Sequence, residues 1–165
     1  MTERNNVMVK VLDKLDCQIL DIITQNARIP FKDIAEVCNV SRAAIHQRVQ
    51  RLFEEKVLTG SGYKVAPKVL GYQVCTYVGV KLEKASKYKE VMPELSKIPE
   101  VTECHFTTGP YTLLLKLYAR DMQHLMTLLN GKIQEIAGVS ETETLMSLEE
   151  SINRGIPIEE TALAQ

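Results

Sequence analysis

With 165 residues and a formal net charge of −1, the chain is long enough for one sizeable core or for two small ones. Its 45% hydrophobic and 25% charged residues are ordinary for a soluble globular protein and argue against intrinsic disorder. No apolar run approaches the roughly 18 residues that a membrane span needs. The segment Met1–Asn6 lacks the apolar stretch of a signal peptide, so a cytoplasmic location and no membrane partner are expected.

In chain order, apolar residues at 12, 15, 19, 20, 22 and 23 have helical spacing, with Asp16 as the cap expected for the body of that helix. Pro30 pushes Ile29 out of the helical region and ends it. Phe31–Cys38 follows as a two-turn helix with Phe31, Ile34, Val37 and Cys38 on one side, and Asn39-Val40 makes a tight corner. Ser41 is a strong N-cap for a third helix reaching Leu52, whose apolar stripe is Ile45, Val49 and Leu52. Short helix, tight turn and a second helix with a polar outer face form a helix-turn-helix pattern. The expected core of this unit is Leu15, Ile19, Ile22, Ile34, Ala35, Ile45, Val49 and Leu52.

The third helix carries the nucleic-acid chemistry. Ala43 and Ala44 are small enough for close approach to a phosphate or a base edge beyond Ser41. Arg42, Arg48 and Arg51 are suited to phosphates, while His46 and Gln47 are suited to base edges in the major groove. Gln47 is the first choice for base reading. Arg48 flanks the apolar stripe and keeps a second reading, an ion pair with Asp21, Glu36 or another local acid.

Charge is divided in the direction that this reading needs. Residues 1–64 hold ten Lys/Arg against eight Asp/Glu, a net of +2, and residues 65–165 hold ten against thirteen, a net of −3.

Val57–Val65 contains two glycines and then alternates, the pattern of a wing-like strand, and Pro67 and Gly71 mark a hinge. Beyond it lie a strand over 74–82, a helix over 86–98 with Tyr88, Val91, Met92, Leu95 and Ile98 on one face, and a strand over 101–108. A Gly109-Pro110 turn leads to a strand over 111–119. Asp121 caps a helix with Leu125, Met126, Leu128, Leu129, Ile133 and Ile136 inward, and a last strand runs over 139–148. The order β-α-β-β-α-β is that of a ferredoxin-like sandwich. Ile156-Pro-Ile158 in the tail is read as an added edge segment, with a loose end from Glu159 to Gln165.

The expected fold class is α+β: an N-terminal three-helix, winged-helix-like domain over 1–58, a hinge strand over 59–73, a ferredoxin-like domain over 74–150 and a tail over 151–165. Four scattered cysteines (17, 38, 75, 104) and three scattered histidines (46, 105, 124) lack the spacing of a metal site or a disulfide framework. No metal and no cofactor are expected. Neither a nucleophile elbow nor a phosphate-cradling glycine loop is present, so the chain does not read as an enzyme.

These residues resemble the Lrp/AsnC (feast/famine) family of transcription regulators from about Leu12 to Leu148. Leu15-Asp16, Asn26-Ala-Arg28, Asp33-Ile-Ala35, Val40-Ser41 and Arg48–Leu52 resemble the family's reader domain. Leu58-Thr-Gly60 with Leu70-Gly71 resembles its linker. Val101-Thr-Glu103, Thr107-Thr-Gly109 and Thr142-Glu-Thr-Leu145 resemble its sensor domain, and the closest branch is the AsnC-like one.

The resemblance implies double-stranded DNA as partner, a small amino acid as effector, and homodimers that pair through the sensor domain and linker strands before gathering into octameric discs or open helices, with the octamer expected. The effector would lie where dimers meet, against Thr107, Thr108, Gly109, Pro110, Tyr111 and Thr112, with Thr142 and Thr144 from the last strand. Thr112 stands where leucine-responsive members often carry an aspartate, which argues against a leucine-type site. Without the resemblance, Gly109-Pro110 reads first as a plain hairpin turn. The rival reading is an RNA-binding or purely structural βαββαβ protein; the aromatic strand motif of RNA-recognition sheets is absent, and Leu113, Leu114 and Leu115 make the third strand aliphatic.

Overall fold

The computed structural model describes residues 10–160. Met1–Asn6 and the last five tail residues, on which two of the expectations above fall, lie outside the described residues. The chain forms two compact units, one running to Lys64 and taking in the segment from Asn153, the other spanning Val65–Ile152.

In the first unit α1 (Lys14–Gln25), α2 (Phe31–Cys38) and α3 (Arg42–Glu54) pack around Ile19, Ile34, Ala35, Ile45 and Val49, with Leu15, Ile22 and Leu58 against them. Asp13, not Asp16, caps α1. Its side chain accepts from the Asp16 N–H at 2.8 Å, while the Asp16 carboxylate accepts from the Asp13 N–H at 3.2 Å. This reciprocal capping box satisfies two donors of the first turn that have no partner within the helix.

Val37 is 72% exposed, against the expectation that it faces inward. The buried seam of α2 is centred between Ile34 and Ala35, which turns Val37 roughly 110° away at 100° per residue. Asn39 adopts the left-handed conformation (φ 53°) that closes α2 and sets the corner before Ser41.

The expected hinge strand is absent from the described residues between Val57 and Ala66. The N–H groups of Val57 and Leu58 instead donate to the Leu52 carbonyl at 2.9 and 3.0 Å and fold the chain back over the end of α3. Past them, Gly60 (φ 156°) and the residues that follow have no ladder partner within one chain. A short 3-10 turn, Pro67–Leu70, then ends at Gly71 (φ 88°). Ile156–Ile158 forms no strand either. Arg154–Glu159 lines a groove with Leu12, Leu20 and Thr24 on the α1 side of the first unit. Pro157, which lacks an N–H, suits such an irregular path.

The second unit comprises β1 (Val74–Leu82), α4 (Tyr88–Leu95), β2 (Val101–Phe106), β3 (Leu113–Ala119), α5 (Met122–Leu128) and β4 (Val139–Ser147). The sheet has the order β2-β3-β1-β4 with every neighbouring pair antiparallel, the ferredoxin-like arrangement that the pattern predicts. Strand alternation sends Val78, Val80, Leu82, Leu113, Leu115 and Leu117 to the helix-covered face, where Val91, Leu95, Leu125, Leu128 and Ile133 complete the core.

Asp121 caps α5, accepting from the His124 N–H at 2.7 Å. The helix continues as a wider π-type turn over Leu129–Ile133. Met126, expected inward, is 58% exposed because the buried positions Leu125 and Leu128 turn it outward. β2 ends at Phe106 and β3 begins at Leu113, so the connection between them is six residues of irregular backbone.

Candidate functional site

The two units present two sets of chemistry. On the reader, Ser41 Oγ accepts from the Ala44 N–H at 3.2 Å and fixes the start of α3. Ser41, Arg42, Ala43, His46 and Gln47 are all exposed, a continuous polar face over the first two turns. The His46 ring meets Phe31 edge-on with ring centroids 6.0 Å apart, which ties this face to the start of α2.

Arg48 and Arg51 behave differently from the other reader residues. Arg48 Nη1 donates to Asp13 and, at 2.9 Å, to Asp16 Oδ1; Arg51 Nη2 donates to Asp16 Oδ2 at 2.5 Å. Arg48 therefore has local acid partners, and they are Asp13 and Asp16, not Asp21 or Glu36. Arg51, expected to meet a phosphate, reaches the same buried carboxylate.

The Arg48 guanidinium holds the Asp13 carboxyl below its usual range, helped by the Asp16 N–H. The hydrogen bonds to Asp13 and Asp16 raise the affinity of Arg48 for its own proton. Asp13 and Asp16 were missed as partners of the reading helix because they lie 35 and 32 residues away in sequence.

On the sensor, the turn between β2 and β3 is held from within. Thr107 Oγ1 donates to the Tyr111 carbonyl at 2.7 Å and the Thr107 N–H to the Thr112 carbonyl at 3.1 Å. The Thr112 N–H donates to the Val80 carbonyl at 2.9 Å, and Thr112 Oγ1 accepts from the Leu82 N–H at 3.3 Å. Gly109 takes φ 115°, a left-handed conformation that favours glycine, and Thr108, Gly109 and Pro110 are exposed at the tip.

The Tyr111 ring lies on Gly79 of β1. A β-carbon placed there would meet ring atoms Cδ1 and Cγ at 2.6 Å. A hydrogen bond from its hydroxyl to Glu143, the residue opposite Gly79, pushes the Tyr111 pKa up.

Thr142 and Thr144 stand opposite Val80 and Val78 and so share the helix-facing side of the sheet, whereas Tyr111 and Glu143 occupy the other side. Thr142 Oγ1 is bonded to Gln134 Nε2 at 2.7 Å. Within one chain the structure brings Thr107, Tyr111 and Thr112 together and leaves the two β4 threonines apart from them. Gly79 and Glu143 belong to the tyrosine's surroundings and were not picked out by sequence. An isolated glycine inside a strand is itself a mark of close approach and was the available signal.

Among the described residues no three His, Cys, Asp or Glu side chains gather as a metal site, and no helix is long and apolar enough to cross a membrane.

A helix-turn-helix with an exposed recognition face, carried on the same chain as a ferredoxin-like unit with a structured loop, defines a DNA-reading regulator with a sensor domain. The profile of the AsnC-type helix-turn-helix domain matches residues 12–52, and that of the Lrp/AsnC ligand binding domain matches residues 75–157. Regulatory protein AsnC of Escherichia coli K12 is 36% identical over 146 residues, covering 88% of this chain and 96% of the relative. Its counterpart in Haemophilus influenzae is 35% identical over 145 residues, covering 88% and 97%. The solved structure of the E. coli AsnC protein superposes with a TM-score of 0.86 over 90% of this chain and 99% of the other. A Neisseria meningitidis regulator solved as an L-Met complex shares the fold at 22% identity and a TM-score of 0.83, covering 87% of this chain and 94% of its own.

The chain belongs to the Lrp/AsnC family of transcriptional regulators. It is a regulator and not an enzyme, as its curated relatives are.

Proposed function

We propose that this regulator reads duplex DNA through the first two turns of α3 and takes a small amino acid at the turn between β2 and β3. The exposed face of Ser41, Arg42, Ala43, His46 and Gln47 carries the DNA half of this reading. Gln47 supplies an amide that can donate to and accept from one base edge, and Arg42 supplies positive charge for a phosphate. Gln47→Ala is expected to relax preference at one operator position by roughly 1–3 kcal/mol, the worth of one good base contact. Competition shift assays with single-position operator variants read this directly. Unchanged ranking of the variants in the mutant would remove Gln47 from base reading.

For the effector, the exposed Gly109 backbone permits close approach, and the Thr107, Thr108 and Thr112 hydroxyls offer neutral hydrogen-bonding groups to an amide or α-amino group. Thr142 and Thr144 contribute only from the opposite side of the sheet, so a site that uses both sets needs a second copy. Calorimetry against all twenty amino acids is expected to give heat with at least one small polar ligand. No heat with any of them would sink the sensor half and leave the reader half standing.

The working assembly is a homodimer gathering to an octamer in the cytoplasm. Val65, Val69 and Leu70 are exposed beside a segment with no ladder partner in its own chain, which is what a linker waiting for a second copy presents. Light scattering that found only monomer at working concentration would remove this assembly.

A further inference from the structure

We infer that Asp16 is a positioning residue for DNA reading: its buried carboxylate holds Arg48 and Arg51 away from the phosphates and sets the roll of α3. This rests on the DNA-binding reading above and adds to it. Asp16 is 1% exposed at the third position of α1, whereas the Arg48 and Arg51 side chains are 30% and 41% exposed on α3. One carboxylate accepts from three donors: the Asp13 N–H, Arg48 Nη1 and Arg51 Nη2. With Asp13 also on Arg48, two carboxylates balance two guanidinium groups.

This balance decides what the two arginines do. A buried carboxylate stripped of its partners is strongly disfavoured, because its charge has left water without compensation. Neither arginine therefore swings to a phosphate unless Asp16 is abandoned, and abandoning it also weakens the tie between α1 and α3. Residues 48 and 51 lie nearly one turn apart, so two bonds to one fixed acid pin the rotation of α3 about its axis. The apolar seam Ile45, Val49 and Leu52 alone tolerates small rolls, since packing has no direction. His46 and Gln47 inherit their aim from that pin. The buried Arg51 Nε has no hydrogen-bond partner, so this guanidinium is held by its Nη2 contact.

The test uses the full chain, a duplex that the parent chain selects from a randomised pool, and poly(dI-dC) as non-specific DNA. Asp16→Asn keeps the shape, removes the charge, frees Arg51 and leaves Arg48 to Asp13 alone. Binding to poly(dI-dC) is expected to strengthen, and the plot of log affinity against log salt to steepen by about 0.9 for each phosphate gained. The ratio of selected to non-specific affinity is expected to fall roughly tenfold, the scale of one misplaced base contact. Arg48→Met and Arg51→Met are expected to keep the parent's salt slope on the selected duplex while losing discrimination.

A merely structural role would lower binding to both DNAs together and leave slope and ratio alone, and that outcome overturns the inference. So does a salt slope shallower by about one phosphate in either methionine variant, which would make that arginine a phosphate contact. The methionine variants decide the matter if Asp16→Asn fails to fold. A parent chain that binds neither DNA removes the DNA-binding reading itself; a parent that binds while the variants keep its slope and ratio removes only the role of Asp16.

Discussion

Replacing Ile45 with alanine is expected to abolish specific DNA binding while the sensor unit stays folded. Ile45 is fully buried on the inner stripe of α3, against Ile19, Ile34 and Val49. Truncating such a side chain costs about 2–5 kcal/mol, the lost transfer energy plus the cavity left behind. A reader of some fifty residues has a total stability on the order of 3–7 kcal/mol, so the loss is comparable with everything holding it together. The sensor has its own core around Val78, Leu115 and Leu125, in a separate compact unit.

Calorimetric melting of the full-length variant should therefore show the reader transition lowered or gone and the sensor transition unmoved. Ile45→Val, at about 0.5–1.5 kcal/mol, should keep binding with a modest drop in the reader's melting temperature. A single transition that moves as a whole in Ile45→Ala would mean that the two units unfold together.

The contrast between what sequence revealed and what it hid follows the range of the interactions. Ser41 as cap, the seam of Ile45, Val49 and Leu52, and the span of β1 are set by neighbours within a turn or by strand alternation, and all three were legible. Asp13 and Asp16 were confused because acids three apart can each begin a helix; the reciprocal bond decides, and it appears only in three dimensions. The partners of Arg48 and Arg51 come from another helix, chosen by helix packing that no local pattern encodes.

Val37 and Met126 went the other way because an apolar residue at the flank of a stripe satisfies the period without being buried. The linker strand failed for a different reason. Alternation from Gly60 to Val65 expresses a propensity, and a strand exists only when another strand pairs with it. The β4 threonines were grouped with the 107–112 turn through family resemblance, whereas alternation alone places Thr142 and Thr144 on the face opposite Glu143.

That opposition makes Gly79→Val the most informative change in the sensor. The β-carbon alone would lie 2.6 Å from Tyr111 Cγ and Cδ1, far inside van der Waals contact. Cγ is the base of the ring, tied to the Tyr111 backbone through one carbon, so the ring escapes only by changing rotamer or by dragging the turn. Overpacking of this kind costs about 1–3 kcal/mol, and the variant also breaks the hydroxyl's bond to Glu143.

Because that bond raises the Tyr111 pKa, its loss should return the phenol toward its ordinary value, which ultraviolet titration would detect. The Thr107 hydroxyl bonds the Tyr111 carbonyl, so a displaced ring disturbs the turn that is proposed to take the amino acid. The expected result is a lowered sensor transition, an unchanged reader transition, and weakened heat with whichever amino acid the parent binds. Adding Tyr111→Ala to Gly79→Val vacates the space and should restore most of the lost stability without restoring ligand heat. A Gly79→Val protein with the parent's sensor melting and the parent's phenol titration would show that the ring does not rest on Gly79.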